Sequence, residues 1–346
     1  IYAAVTVISA FCISFIGKHI DKMPLKKFGL IIFIGLLASV IILSQAYHVV
    51  FLVIGLFLVR LFGQGLMTHT SATGIAKYFN KDRGKALGVT ALGNPAGQLI
   101  LPLLIMPLIA SFGWRNSLLL LSVLAIIMII PSLWSITPVT PFEPELANNN
   151  KASGSKINYF TSNKFWVLAI NTFTIPFLCT AIFLYQYLMG KNYGWSSQWV
   201  TFSFAFYAVF YALSLLLSGP LVDRFTGIRL FPIYLLPTLL VLIVITVSSN
   251  KWVFPLFYAL LGISSGLGST IRTAVQVEIY GKKDLGKLRS YISTIMVLST
   301  AAGPPIFGFF IDKNYSLNSI MLGNAVFILL IILVSFTVKP SHAFKE

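Results

Sequence analysis

The chain has 346 residues, of which 57% are hydrophobic and only 10% charged, and its mean hydropathy is +0.87. Soluble domains carry about 25% charged residues, so the composition excludes a soluble enzyme, a disordered chain and a collagen-like fibre. The balance of 25 Lys and Arg against 9 Asp and Glu fits a membrane protein whose cytoplasmic loops gather basic residues and needs no nucleic-acid partner.

About 20 apolar residues cross a bilayer as a helix. In chain order the apolar segments fall at 1–16, 28–47, 49–76, 86–111, 116–136, 165–189, 198–221, 230–248, 252–279, 290–311 and 317–337. Irregular backbone cannot face lipid, so the expected fold class is an all-α membrane protein of eleven spans. The longest polar stretch, Pro138 to Lys164, has a linker composition, with Asn148, Asn149, Asn150, Ser153, Gly154 and Ser155. It divides an N-terminal bundle, 1–137, from a C-terminal bundle, 165–346. Cys12 and Cys179 lie in apolar runs and read as inert small hydrophobes. The histidines His19, His48, His69 and His342 are scattered, and no G-x-x-x-x-G-K-[ST] loop occurs. No metal, cofactor or enzyme activity is expected, and no hydrolysis of ATP.

Placing residues 17–27 in the cytoplasm puts 19 of the 25 Lys and Arg in alternate loops and the C-terminal tail. The opposite loops hold Arg115, Lys191, Lys251 and Lys313, and Arg60 and Arg272 stay inside spans. The positive-inside rule then fixes the orientation.

The sequence also repeats. Gly17-x-x-x-Asp21-Lys22 returns as Gly219-x-x-x-Asp223-Arg224 at an offset of 202, and Gly63-x-Gly65 returns as Gly266-x-Gly268 at 203. Pro102 and Pro305 share the offset of 203. Parallel repeats of this kind occur in transporters. The span at 165–189 has no counterpart in the first half. A twelve-span protein of six plus six is therefore expected, with its opening helix absent here and both termini cytoplasmic.

Gly219-Pro-Leu-Val-Asp223-Arg224-Phe-Thr-Gly227-Ile-Arg229 resembles the G-x-L-x-D-R-x-G-x-R signature of the major facilitator superfamily. The first copy, Gly17 to Lys27, departs from it: Pro24 replaces the usual Gly. Arg60-Leu-Phe-Gly63-Gln-Gly65 is similar to the family's fourth-helix motif. Arg83-Gly84-Lys85, followed by Gly93-Asn-Pro95-Ala-Gly97, is similar to a pattern of the monocarboxylate-type and oxalate/formate-type branch. The resemblance covers essentially the whole chain. It implies two pseudo-symmetric six-helix bundles, a monomer, and a latch at Gly17, Asp21, Lys22, Gly219, Asp223, Arg224, Gly227 and Arg229 that holds an outward-open state.

In that motif Gly permits close helix approach, and Asp can accept hydrogen bonds from a neighbouring helix N-terminus. The plainer reading is a basic stop signal. Gly93, Pro95, Gly97, Gly303, Pro304 and Pro305 read as hinge and packing positions, or as simple bends. Intramembrane charges point to function by default. Arg60 lies near mid-span and could contact substrate or pair with the absent opening helix, and His69 and Arg272 each lie six residues past the first glycine of the repeated pair. Arg272 could bind an anionic substrate as a fork, or pair with backbone carbonyls or Glu278. His69 could carry a proton or substrate, or be a satisfied core histidine. Asn171, Tyr185 and Gln186 could contact substrate or join helices.

No acidic residue lies deep in a span, so basic groups without buried acids favour an anionic substrate. The expectation is a secondary transporter of the inner (plasma) membrane that moves a small organic anion, such as a monocarboxylate, with a proton by alternating access. The alternatives are an exporter of a neutral or drug-like compound and a non-transporting receptor.

Overall fold

The computed structural model describes residues 2–17, 23–68, 70–71, 90–135, 159–248, 250–281 and 285–338. Asp21, Lys22, His69 and most of the expected linker lie outside the described residues. The described residues are helical throughout, apart from short turns. Nine of their helices are long and apolar enough to cross a membrane by length and composition, and Tyr2–Ile13 is a shorter apolar one. The chain divides into two units, residues 1–94 with 104–150, and residues 95–103 with 151–346.

In the first unit α1 is Tyr2–Gly17, α2 is Leu25–Ser44 and α3 is Val49–Met67. The last eight residues of α3, Arg60–Met67, are wound as a π-helix. The next helix, α4, is Gly93–Ser135, whose residues 95–103 fall in the second unit, and it is broken at Gly113 by a positive φ of 72°. A side chain would be strained there. Counting the two arms of α4 apart and adding α1 gives the eleven spans expected. Just past the break, Arg115 donates to the Ala46 carbonyl at 3.2 Å and lies over the Tyr47 ring. The turn of α4 and the turn between α2 and α3 therefore sit at one end of this unit, as strict alternation requires. The core around Phe28, Ile32, Leu61 and Leu66 is small. Val123, Ile127 and Met128 are exposed, which in a bilayer is contact with lipid of equal polarity.

The second unit contains α5 (Asn163–Asn192), α6 (Ser197–Phe225), the one-turn α7 (Gly227–Leu230), α8 (Leu236–Val247), α9 (Val253–Tyr280), α10 (Leu285–Asp312) and α11 (Leu317–Ser335). Ser196 caps α6 by accepting from the Trp199 amide at 3.2 Å, and Ser316 caps α11 through Ser319 at 3.1 Å. Gly281, at φ 73°, ends α9. At one end of the unit, Tyr193 stacks on Trp195 and Trp195 packs on Phe254. Tyr193 also donates to Asn318 at 2.6 Å. Burial pushes the Tyr193 phenol up from its ordinary value, so it stays a donor at neutral pH. At the other end, Tyr159, Tyr280 and Tyr291 meet edge to face, and Tyr280 donates to Ser162 at 3.2 Å.

Several expected boundaries shift. The polar stretch was expected to run as linker to residue 164, but Tyr159 is buried, Tyr159–Thr161 forms a helical turn and α5 begins at Asn163. Helix resumes at Gly227 after one break at Thr226, φ 66°, so Gly227 and Arg229 lie on a helix and not in a loop. A β-branched residue at positive φ escapes sequence reading because its propensity argues against it.

Candidate functional site

The second unit holds the charged group expected inside a span. Arg272 lies on α9, 8% exposed, with its guanidinium 5.9 Å from the centre of the Tyr234 ring. Gly268, one turn earlier, leaves the space: a Cβ built there would come within 3.2 Å of Arg272 Nη1 and 2.5 Å of Tyr234. Nη1 is buried and has no hydrogen-bond partner among the described residues. Gln276, four residues on and hence on the same helix face, is 5% exposed, and its Oε1 is buried with no hydrogen-bond partner among the described residues.

Glu278, the carboxylate within sequence reach of Arg272, is engaged elsewhere. Its two oxygens accept from the amides of Gly227 at 2.6 Å and Ile228 at 2.9 Å. It thus caps α7, where the helix dipole favours an anion. A Cβ on Gly227 would meet Glu278 and Ala274, both at 2.9 Å, so the glycine is required by this close approach. The expectation had given this capping role to Asp223. Asp223 is exposed, and among the described residues none pairs with it. Gly219 has no neighbour within 4 Å of a built Cβ, so it makes no tight crossing among the described residues. Arg224 and Arg229 are exposed at this end. Gly17 ends α1.

Asn171 is fully buried on α5. Its amide donates to Ser335 of α11 at 2.9 Å, and its Oδ1 accepts from the Tyr234 hydroxyl. It therefore joins three helical segments. Tyr185 donates to the Pro304 carbonyl at 3.2 Å and lies where a side chain on Gly308 would stand. Gln186 accepts from Tyr258 at 3.0 Å. Both make contacts between helices within the unit.

The hinge candidates also separate. Pro95 sits in the first turn of α4, where proline removes no helical bond. Gly93 has nothing within 4 Å of a built Cβ, and Gly97 only Leu101 of its own helix at 3.9 Å. Neither forms a close crossing among the described residues. Gly303 does: a Cβ there would lie 2.4 Å from the Phe177 carbonyl oxygen of α5. Pro304 and Pro305 follow within α10.

In the first unit Arg60 opens the π stretch and lies 4.5 Å over the Tyr2 ring of α1. None of the described acids pairs with it. Arg60 and Arg272 lie in different units.

Sequence reasoning missed Tyr234, Gln276 and the capping role of Glu278. Gln276 was legible as the i+4 neighbour of Arg272. Tyr234 was not, because nothing in the sequence brings it to α9.

The model of the Major Facilitator Superfamily matches residues 1–207 and 170–345. Curated relatives include monocarboxylate transporter 11 of Homo sapiens, 23% identical over 300 residues. That alignment takes in 81% of this chain and 62% of the human protein, so the chain spans less than two thirds of that relative. Monocarboxylate transporter 11 of Mus musculus is 25% identical over 321 residues, 85% of this chain and 68% of the mouse protein. Monocarboxylate transporter 12 of Xenopus laevis is 23% identical over 328 residues, 86% of this chain and 71% of the frog protein. Among solved structures, a bacterial homolog of the human lysosomal transporter Spinster, inward-facing and unoccupied, superposes with a TM-score of 0.74 at 16% identity. The superposition covers 97% of this chain and 89% of that one.

Proposed function

Because the chain belongs to the Major Facilitator Superfamily, we propose that it serves a secondary transporter for a small organic anion, a monocarboxylate in kind, moved with a proton by alternating access. The observation that carries the anion is Arg272 Nη1, buried in a span without a hydrogen-bond partner among the described residues. An arginine at the centre of a membrane helix costs roughly 2.5–3.5 kcal/mol on insertion scales, and the carboxylate of a substrate offsets that cost through charge-assisted hydrogen bonds. Gln276 Oε1, on the same face, offers an acceptor to a substrate hydroxyl. The names of the curated relatives support the carboxylate class.

Two bundles, 1–137 and 165–346, carry the alternation, in a plasma membrane, with both termini of the complete twelve-span protein cytoplasmic. The distribution of Lys and Arg supports that orientation. Gly227, Arg224, Arg229 and the cap by Glu278 act as the cytoplasmic latch of the second bundle. Arg60 is the second cation of the pathway, and His69 the residue that exchanges the proton.

The test is uptake of radiolabelled short carboxylates into proteoliposomes, with and without an imposed pH gradient. Gradient-driven uptake that is lost in Arg272→Ala, with folding intact by thermal unfolding, is the expected result. Uptake unchanged in that variant overturns the assignment of the site. No uptake of any carboxylate overturns the substrate class.

A further inference from the structure

A threonine inside a helix can return its hydroxyl to the carbonyl three or four residues back. On α5 two do so: Thr174 donates to the Ile170 carbonyl at 2.9 Å and Thr180 to that of Pro176 at 2.6 Å. Thr172 does not. It is fully buried, and its Oγ1 has no hydrogen-bond partner among the described residues. Its neighbour Asn171 is already engaged by Ser335 and Tyr234.

Two contacts fix how α5 faces α9. Cys179 Sγ lies 3.6 Å from Ser265 Oγ, so these residues meet at one height. Eight residues before Cys179, Asn171 accepts from the Tyr234 hydroxyl, and seven residues after Ser265, Arg272 stands over the Tyr234 ring. The helices are therefore antiparallel, and both still reach Tyr234 at this second height. Seven residues return to the same helix face within about 20° and advance about 10 Å. Thr172 is seven residues before Cys179, as Arg272 is seven after Ser265. Thr172 and Arg272 thus stand at one height on the facing sides of α5 and α9, and each carries a buried polar atom without a hydrogen-bond partner among the described residues.

We propose, on the footing of the transport reading above, that Thr172 is a substrate-binding residue whose hydroxyl donates to the same carboxylate that Arg272 Nη1 holds. A carboxylate has two oxygens and accepts from both donors at once, and hydrogen bonds to a charged group are the strong ones. The cost of burying each donor unpaired is offset in one step. The substrate is then gripped between α5 and α9 rather than by α9 alone.

The test uses Thr172→Val in the full chain, which keeps the shape and removes the hydroxyl, beside Thr172→Ser and Thr174→Val. Uptake of radiolabelled propionate into proteoliposomes gives KM and the maximal rate. The rise in unfolding temperature on adding propionate reads binding without transport. KM is expected to rise about tenfold in Thr172→Val, the loss of one hydrogen bond to a charged group, with the maximal rate little changed. The propionate-induced rise in unfolding temperature should shrink in step. Thr172→Ser should restore both, and Thr174→Val should alter neither. Without propionate, Thr172→Val should unfold no lower than the parent, because an apolar group of the same shape replaces an unpaired hydroxyl. Unchanged KM in Thr172→Val, in a protein that transports propionate, overturns the role of Thr172 and leaves the transport reading standing. Lower stability at unchanged propionate affinity assigns the hydroxyl to a bridging water and also overturns it. A parent that neither takes up propionate nor is stabilised by it defeats the carboxylate reading itself, and the role of Thr172 falls with it.

Discussion

Helices α3 and α9 carry the same glycine pair 203 residues apart, yet the pairs meet different neighbours. In α9 a Cβ on Gly266 would lie 2.5 Å from the Tyr211 carbonyl oxygen of α6, and one on Gly268 would strike Tyr234, just before α8. In α3 a Cβ on Gly63 would meet Leu36 Cδ1 of α2 at 3.2 Å, and one on Gly65 would meet Ile13 Cδ1 of α1. The same offset lays α1 over α6, and α2 over the stretch from α7 to α8. The two faces are therefore exchanged between copies. An offset in sequence places residues at matched heights but does not fix the rotation of the helix about its axis. One local difference alters that rotation: α3 is π-wound from Arg60 to Met67, where each turn takes in one residue more. The lesson bears on Arg272 and His69, matched by count in the sequence. Matched height is no evidence of a shared facing.

The largest expected effect sharpens this contrast. Gly266→Ala drives a methyl into α6 backbone, and overpacking of that kind costs about 1–3 kcal/mol or more. Thermal unfolding in detergent should show a marked loss, and Gly262→Ala, which meets the Tyr207 carbonyl oxygen at 2.5 Å, should follow it. Stability equal to the parent in both would mean that the α6–α9 crossing is looser than described.

Next comes the joint at Asn171. Asn171→Ala removes the bonds to Ser335 and Tyr234; interhelical hydrogen bonds in membranes contribute about 0.6–2 kcal/mol each. A fall in unfolding temperature with carboxylate affinity retained is expected. Loss of affinity at unchanged stability would return Asn171 to the substrate site.

Arg60 over the Tyr2 ring is a smaller term. Cation–π pairs are worth about 0.5–2 kcal/mol, so Tyr2→Leu should cost at most that in the same assay. Tyr2→Phe keeps the ring and should be close to neutral.

Smallest is Gly63→Ala. Its new methyl meets only the tip of a flexible leucine, and Ala is the better helix former by about 1 kcal/mol, so the change should be neutral or slightly stabilising. A crosslink settles the facing itself. Ile13→Cys with Gly65→Cys should form a disulfide on mild oxidation. The offset-matched pair, Leu216→Cys with Gly268→Cys, should not, because Leu216 is 59% exposed and points away from the crossing. Equal crosslinking of both pairs would erase the difference between the copies.

The fold was legible because bilayer thickness and the absence of water impose one solution, runs of about twenty apolar residues wound as helices. Gly113 fell where the sequence placed a turn, between 111 and 116. The glycine signature around Gly227 was legible too, as close approach leaves no alternative residue. The identity of its capping acid was not: Glu278 stands 51 residues from Gly227, and only packing of α7 beside the end of α9 selects it over the nearby Asp223. In the same way, composition alone told that Arg272 is a costly intramembrane charge. Its tertiary surroundings decided that Tyr234 stacks beside it, that Glu278 is spent on backbone amides, and that Nη1 is left without a partner. Periodicity and hydropathy are properties of single segments, so the sequence determines how many helices form and, to within a few residues, where they lie. The rotation of each helix, and the side chains it sets face to face, depend on contacts among segments distant in the chain, and these exist only once the bundle has formed.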